Sequence, residues 1–228
     1  MPTSSVVYLL DVDNTLLDND RVTADLKHFL EVEVGLDKTR RYWEIFEDLR
    51  AELGYADYLG ALQRYRAEDP RDPHVLHLSS YLIDYPFANR LYPESLDVID
   101  RLKLTGEVVI LSDGDVVFQP RKVERSGLWS AVDGKVLIYV HKEHELADVE
   151  RCYPAGHYVL VDDKLRILAA VKDAWGSRVT TVFPRQGHYA HDPRIVDSYP
   201  PADVELERIS DLLSLDLPTL EQAARGRD

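Results

Sequence analysis

Four short apolar runs, rich in Val, Ile and Leu and free of polar interruptions, stand out along the chain. They are Val6–Leu10, Val108–Leu111, Val136–Val140 and Tyr158–Val161, and a fifth run, Val179–Phe183, alternates slightly more. Unbroken apolarity over four or five residues is typical of strands that are covered on both faces. The pattern therefore favours a parallel sheet with helices on its two sides.

Helical periodicity separates these predicted strands. The segment Pro93–Leu104 repeats apolar residues at helical spacing, begins with a proline and is followed by Gly106. Leu165–Trp175 repeats the pattern and is followed by Gly176. A last amphipathic segment, Val204–Leu213, predicts a helix packed on the core. Alternating strands and helices predict a doubly wound, mostly parallel, Rossmann-like α/β sheet.

One long interval between the first strand and the Pro93 helix breaks this rhythm. It contains no strand pattern, and apolar positions such as Leu26 and Leu30 recur at helical spacing. We therefore predict a helical insertion that leaves and rejoins the core beside the end of strand 1. The predicted division is a core of residues 1–16 and 88–228 and a helical cap of residues 17–87.

Composition narrows the range of partners. The formal net charge of −14 argues against nucleic acid or an anionic membrane surface as a partner, since no broad basic face is available. No run approaches the ~18 apolar residues that a membrane-spanning helix needs, and no signal-peptide pattern is present. The single cysteine, Cys152, excludes an intrachain disulfide and favours a reducing, cytoplasmic setting. We expect a monomer or a homodimer.

Polar residues follow the predicted strands at their carboxyl ends. In an open parallel sheet, ligands bind in the crevice beyond these ends, so the residues are expected to converge there. In chain order they are Asp11 and Asp13 after the first strand, Ser112, Asp113 and Gly114 after the second, Lys142 after the third, and Asp162 and Asp163 after the fourth.

The acids among them suit a hard divalent cation. Asp11 and Asp162, with Asp163 nearby, offer the carboxylate oxygens that Mg²⁺ prefers. Without a cation the acids would repel one another, so a site built from them requires the metal.

The remaining groups complete a set for phosphoryl transfer. Asp11 is suited to attack phosphorus and form an aspartyl-phosphate, and Asp13 to protonate the leaving oxygen and then deprotonate water. Ser112 and Lys142 would bind the phosphoryl oxygens. Backbone N–H groups around residues 113–114, predicted to open a helix, would add further donors.

The motifs resemble those of a known family. The run Asp11-Val-Asp-Asn-Thr15 resembles the DxDxT motif of the haloacid dehalogenase-like (HAD) hydrolase superfamily. Ser112, Lys142 and the Asp162-Asp163 pair resemble its second, third and fourth motifs, in the family's order and at similar intervals over residues 6–183. The insertion after the first motif resembles the family's C1 cap.

This resemblance implies a hydrolase with Asp11 as nucleophile and Asp13 as acid and base. It also implies Mg²⁺ bound by Asp11, the Asp13 backbone carbonyl and Asp162. We expect a phosphatase that acts on a small phosphorylated metabolite. Two assignments stay open at this point: Lys135 is an alternative to Lys142, and the roles of Asp162 and Asp163 are not divided.

Two other functions compete with this one. A 2-haloacid dehalogenase would also use Asp11 as nucleophile, on a halogenated substrate, but it needs neither a metal nor a leaving-group acid at Asp13. A non-enzymatic HAD-like or phospho-acceptor protein would use the same chemical groups without turnover. The intact set of acids argues against an idle protein.

Overall fold

The computed structural model describes residues 6–216 and 219–220, and within them six parallel strands form one sheet. Its spatial order is β3-β2-β1-β4-β5-β6, which confirms the predicted doubly wound, Rossmann-like α/β fold. The strands are Val6–Leu10 (β1), Glu107–Asp113 (β2), Val136–Tyr139 (β3), His157–Val161 (β4), Val179–Pro184 (β5) and Val204–Leu206 (β6).

Helices connect these strands and cover the two faces of the sheet. The longer ones are Asn19–Val34 (α1), Leu36–Leu53 (α2), Tyr58–Glu68 (α3), His74–Asp84 (α4), Ser95–Lys103 (α5), Phe118–Arg125 (α6), Leu146–Cys152 (α8) and Leu165–Trp175 (α9). Three single turns are Leu128–Ala131 (α7), Gly187–Ala190 (α10) and Pro193–Val196 (α11). Short 3₁₀ segments lie at Phe87–Arg90, Lys142–His144, Gly176–Arg178 and Ile209–Ser214.

Strand β1 is central and buried on both faces. Tyr8 and Leu10 contribute to the apolar layer on one face, together with α5 and α6. Val7 and Leu9 contribute to the layer on the other face, which includes α9. Because β1 pairs with β2 on one side and β4 on the other, the residues that follow it emerge between two neighbouring strand ends.

Helices α1–α4 form the insertion between β1 and α5. Their buried aromatic residues pack on one another, and the rings of Phe46 and Tyr58 are 4.8 Å apart. The Tyr58 ring also lies 5.1 Å from that of Phe118 in α6, so this apolar core is continuous with that of the sheet. The insertion is thereby held over the carboxyl edge of the sheet.

Two predicted segments need correction. The predicted helix over Val204–Leu213 is wrong: β6 and a 3₁₀ segment occupy it, because the Asp203 carboxylate accepts hydrogen bonds from the Thr181 amide and hydroxyl and holds the chain along β5. The helix predicted from Pro93 begins at Ser95, after Glu94 in a left-handed conformation. The sequence after Leu217 predicts a frayed tail, and this segment lies mainly outside the described residues.

No helix in the described part of the chain is both long and apolar enough to cross a membrane.

Candidate active site

The carboxyl ends of β1, β2, β3 and β4 bring the predicted residues together. The loop after β1 carries Asp11 and Asp13, the end of β2 carries Ser112, and β3 is followed by Lys142. The loop after β4 carries Asp162 and Asp163, beside β1. Residues far apart in sequence meet here because the sheet is parallel and its order places these strands side by side.

Lys142 lies at the centre of the site and is 1% exposed. Its Nζ is 2.5 Å from Asp11 Oδ1, 2.6 Å from Asp162 Oδ2 and 3.1 Å from the Leu111 carbonyl oxygen. Its backbone N–H donates to the Asp113 carboxylate over 2.8 Å, which fixes the turn after β3. Burial alone would lower the pKa of Lys142, but the surrounding carboxylates hold it well above its usual range.

Lys135, the alternative to Lys142, lies elsewhere. Its Nζ is 3.2 Å from the carboxylate of Glu107, the first residue of β2, at the opposite end of that strand from Ser112. The geometry therefore places Lys142 alone of the two in the site.

Asp11, Asp162 and Asp163 form a buried acidic cluster. One carboxylate oxygen from each of the three lies within 4.8 Å of the others. Within the described residues, Asp11 Oδ2 and both oxygens of Asp163 have no hydrogen-bond partner, although Asp163 is only 1% exposed. Buried carboxylate oxygens without partners are costly, so this donor set fits a hard cation such as Mg²⁺.

The pKa values of Asp162 and Asp163 reflect the cost of burying these carboxylates. Burial raises the pKa of Asp162 to about 6, even though Lys142 opposes the shift. Burial also raises the pKa of Asp163 well above its usual range, against the opposing charge of Lys164. Ionising both acids at neutral pH is therefore unfavourable until positive charge is added beside them.

The side chain of Asp13 lies apart from the acidic cluster. Its Oδ1 is 2.5 Å from Lys122 Nζ, and Gln119 Nε2 lies 3.4 Å from its Oδ2. Gln119 Nε2 also donates to Ser112 Oγ over 2.9 Å, and Lys122 Nζ donates to Asn19 Oδ1 over 3.0 Å. Helix α6 thus positions both Asp13 and Ser112.

Sequence reasoning missed Gln119 and Lys122. Lys122 is 1% exposed, which is exceptional for a lysine unless it is paired. The available signal was the short helix after Ser112, where Phe118, Gln119, Lys122 and Val123 turn toward the interior. A lysine and a glutamine three positions apart on the buried face of a helix need polar partners in the interior.

The segment after Ser112 differs from the expectation. Helix α6 begins at Phe118, so residues 113–114 do not open it, and the Asp115 carboxylate accepts hydrogen bonds from the first helical amides. The Gly114 amide donates to the Tyr139 carbonyl over 2.9 Å, which engages it within the sheet. A Cβ at Gly114 would lie 2.5 Å from Gln119, so this position needs glycine for the close approach of Gln119.

Lys164 extends into the cleft beside the acidic cluster. Burial lowers its pKa, but the carboxylates of Asp163, Asp11 and Asp162 together raise it above its usual range. Its Nζ lies 5.8 Å from the centre of the Tyr189 ring.

A cleft of about 1600 Å³ separates the insertion from the sheet edge. Asp13 and Asp163 line its floor, and Trp43, Tyr55 and Tyr58 line it from the insertion. The aromatic residues of the insertion are therefore partly available to a ligand as well as to the core, and the cleft is large enough for a small metabolite.

Comparisons with protein-family models and with curated protein sequences gave no match. Solved structures do match. One is a protein of Burkholderia xenovorans LB400 described as a haloacid dehalogenase-like hydrolase; it is 65% identical, with a TM-score of 0.89, over 93% of this chain and 99% of that one.

More distant structures share the fold. A HAD hydrolase of Bacillus subtilis, YfnB, bound to magnesium, is 17% identical with a TM-score of 0.59 over 92% of this chain and 97% of that chain. The L-2-haloacid dehalogenase of Xanthobacter autotrophicus is 18% identical with a TM-score of 0.60 over 97% and 99%. At such low identity these two similarities concern the fold alone.

Proposed function

Because the chain belongs to the haloacid dehalogenase-like (HAD) hydrolase superfamily, we propose that it is a magnesium-dependent phosphatase of a small phosphorylated metabolite. The observation that carries the proposal is the carboxylate of Asp163, which is buried beside Asp11 and has no hydrogen-bond partner on either oxygen within residues 6–216 and 219–220. Such an arrangement is unfavourable in a protein that works without a cation. A dehalogenase reaction, which displaces halide from carbon, requires no metal ion, so a donor set that fits a cation favours the phosphatase.

The cation would be held by Asp11 and Asp163, with Asp162 and the Asp13 backbone carbonyl as further oxygen donors. Asp162 already lies 2.6 Å from Lys142, whereas Asp163 has no such partner, so we assign the larger share of direct binding to Asp163. When bound, Mg²⁺ supplies positive charge that neutralises the acids and the transferring phosphoryl group.

Asp11 is the proposed nucleophile. Lys142 holds its Oδ1, so its Oδ2 is the oxygen left to attack phosphorus. The new O–P bond forms on Asp11 as the bond from phosphorus to the leaving oxygen breaks, and the product is an aspartyl-phosphate. Lys142 and the Ser112 hydroxyl bind phosphoryl oxygens and stabilise the charge that develops on them.

Asp13 would transfer the protons. It donates a proton to the departing alkoxide and, as a carboxylate, then takes one from the water that attacks the aspartyl-phosphate. This attack breaks the bond between phosphorus and Asp11, which regenerates the Asp11 carboxylate and releases inorganic phosphate. Contacts with Lys122 and Gln119 hold its side chain outside the acidic cluster and on the cleft side of the site. The helical insertion acts as the cap that covers these groups and selects the substrate.

The test is a panel of phosphorylated metabolites plus an aryl phosphate, assayed with Mg²⁺ and with excess chelator, alongside 2-haloacids assayed for halide release. We expect metal-dependent phosphate release, and Asp11→Asn should lower kcat by at least about 1000-fold. Asp173→Asn, an exposed acid on α9, is the matched control and should match the wild type. Metal-independent halide release without phosphatase activity would instead identify a dehalogenase.

A further inference from the structure

Two cationic side chains from different parts of the molecule, Arg50 and Lys164, lie beside Tyr189. Arg50, near the end of α2, donates a hydrogen bond to the Tyr189 hydroxyl. Lys164, at the start of α9, places its Nζ 5.8 Å from the centre of the same ring. All three residues line the cleft that contains Asp13 and Asp163.

The position of Tyr189 is fixed by the loop that carries the nucleophile. At the preceding Gly187, φ is +71°, and a Cβ there would lie 2.5 Å from Asn14. The His188 amide donates to the Asp20 carboxylate over 2.8 Å, and Gln186 donates to the Thr15 carbonyl over 3.1 Å. Tyr189 therefore stands at a set distance from Asp11, as a second recognition point for a substrate would require.

Four other cations along the cleft are each paired with a carboxylate, whereas Lys27, exposed on α1, has no ion pair among the described residues. Arg41 pairs with Glu68, Arg166 with Glu143, Arg194 with Asp192 and Lys122 with Asp13.

Lys164 differs from the four paired cations. In the part of the chain that the structure describes, its side chain forms neither an ion pair nor a hydrogen bond. Its charge opposes the rise in the pKa of Asp163 without direct contact between the two groups. Arg50 has one weak partner, Glu47 at 3.6 Å, with both side chains well exposed. Two like charges beside one ring are stabilised by an anion placed between them.

We propose that Lys164 and Arg50, organised by Tyr189, form a second anion subsite, so that the substrate is a phosphate ester carrying a further anionic group. This inference rests on the proposed function, because the first anion is the phosphoryl group bound at Asp11 and Lys142. A carboxylate and a second phosphate share the required chemistry. Arg50 belongs to the insertion and Lys164 to the core, so a ligand bound by both residues would contact both parts of the molecule.

Matched substrates test the proposal directly. Alkyl phosphates of increasing length are compared with the same chains ending in a carboxylate or in a second phosphate. We expect the wild type to prefer the series ending in a carboxylate or the series ending in a second phosphate over the plain alkyl phosphates. The preference should be at least tenfold in kcat/KM at an optimal chain length. Lys164→Gln and Arg50→Gln should each reduce this preference about tenfold, mainly through KM, which corresponds to ~1.4 kcal/mol.

Controls separate a local effect from a general one. Arg194→Gln removes a cation that lines the same cleft but is 89% exposed and paired with Asp192, and it should keep the full preference. Arg50→Gln lies far from the acidic cluster in sequence and on another element, so a shared loss with Lys164→Gln excludes simple damage to Asp163. Lys164→Arg should retain most of the preference.

Binding of the corresponding non-hydrolysable phosphonates, measured by calorimetry, separates this inference from the proposed function. If no ester is hydrolysed, the phosphatase assignment fails, yet a tighter Kd for the carboxylated or bisphosphonate ligand that Lys164→Gln abolishes still supports the subsite. Equal Kd and equal kcat/KM for neutral and anionic chains in the wild type overturn it. So does a preference that survives both substitutions.

Discussion

Two buried aspartates, one in the insertion and one in the sheet, show how differently the same side chain can be used. Asp72 is fully buried and its carboxylate is fully engaged, by Lys38 Nζ at 2.6 Å, Tyr65 OH at 3.1 Å and the His74 amide and imidazole at 2.9 and 2.8 Å. Asp163 is 1% exposed, against 7% for Asp72, and has no hydrogen-bond partner on either oxygen among the described residues.

The pKa values of these two aspartates shift in opposite directions. Burial would raise the pKa of Asp72, but its hydrogen bonds and Lys38 hold it well below the usual range. Burial raises the pKa of Asp163 well above its usual range, although the charges of Lys164 and Lys142 oppose the shift. A satisfied buried acid stabilises the fold, whereas an unsatisfied one indicates a binding partner that the chain itself does not supply.

Activity measurements on the two single substitutions should distinguish the proposed metal-binding role of Asp163 from the stabilising role of Asp72 most clearly. We expect Asp163→Asn to lower metal-dependent kcat/KM at least 100-fold, because about 3 kcal/mol of charge stabilisation is lost with a proposed direct metal ligand. Asp72→Asn should stay within about threefold of wild type at temperatures where it is folded. Steady-state kinetics across a Mg²⁺ titration measure both, and a comparable loss in the two variants would remove the distinction.

Lys122 extends the comparison to the proposed active site, where this buried lysine pairs with the partly exposed carboxylate of Asp13. Lys122→Met should lower kcat on an alkyl phosphate about 10- to 100-fold, because Asp13, the proposed leaving-group acid, loses its positioning contact. A p-nitrophenyl ester, whose leaving group needs little protonation, should lose much less.

Lys103→Met is the control for Lys122, because Lys103 pairs with Asp133 on the surface. An equal loss on both esters would mean that Lys122 serves the fold and not the proton transfer.

The two substitutions should affect stability in the opposite order from activity, with Asp72→Asn the more destabilising. Asp72→Asn is expected to cost roughly 2 kcal/mol of unfolding free energy, because charge-assisted hydrogen bonds are lost. Asp163→Asn in the metal-free protein should cost nothing or gain about 1 kcal/mol, because a neutral amide is cheaper to bury than a carboxylate. Denaturant unfolding with chelator present provides both numbers, and a destabilised Asp163→Asn would contradict the assignment.

The effect of pH follows from the same shifts. The raised pKa of Asp162, about 6, means that metal-free stability falls as pH rises from about 4 through 6, and binding of Mg²⁺ offsets this loss. The depressed pKa of Asp72 contributes stability at and above neutral pH that is lost as pH falls below about 4. Mg²⁺ should therefore raise Tm by a few degrees more at pH 7.5 than at pH 5.

The parts of this molecule that sequence could predict are those in which local pattern and topology agree. Apolar runs followed by Asp11, Ser112 and Asp162 were sufficient to predict the sheet and the convergence of these residues at its carboxyl edge. The β6 strand was not predictable in this way, because it depends on the Asp203 carboxylate bonding to Thr181 on the neighbouring strand.

Side-chain contacts between residues far apart in the sequence could not be predicted from it either. Lys122 and Asp13 are 109 residues apart, and Arg50 and Tyr189 are 139 apart. The periodicity of one helix indicates which face is buried but not which loop meets it. The unequal engagement of Asp162 and Asp163 depends on the position of a single lysine nitrogen, which no sequence pattern specifies.

Calorimetric titration of Mg²⁺ into metal-free protein at pH 7.5 tests the central claim most directly. The account predicts one binding site in the wild type, the same site in Asp72→Asn, and none in Asp163→Asn over the same concentration range. Undiminished binding in Asp163→Asn, or no binding in the wild type, would contradict it.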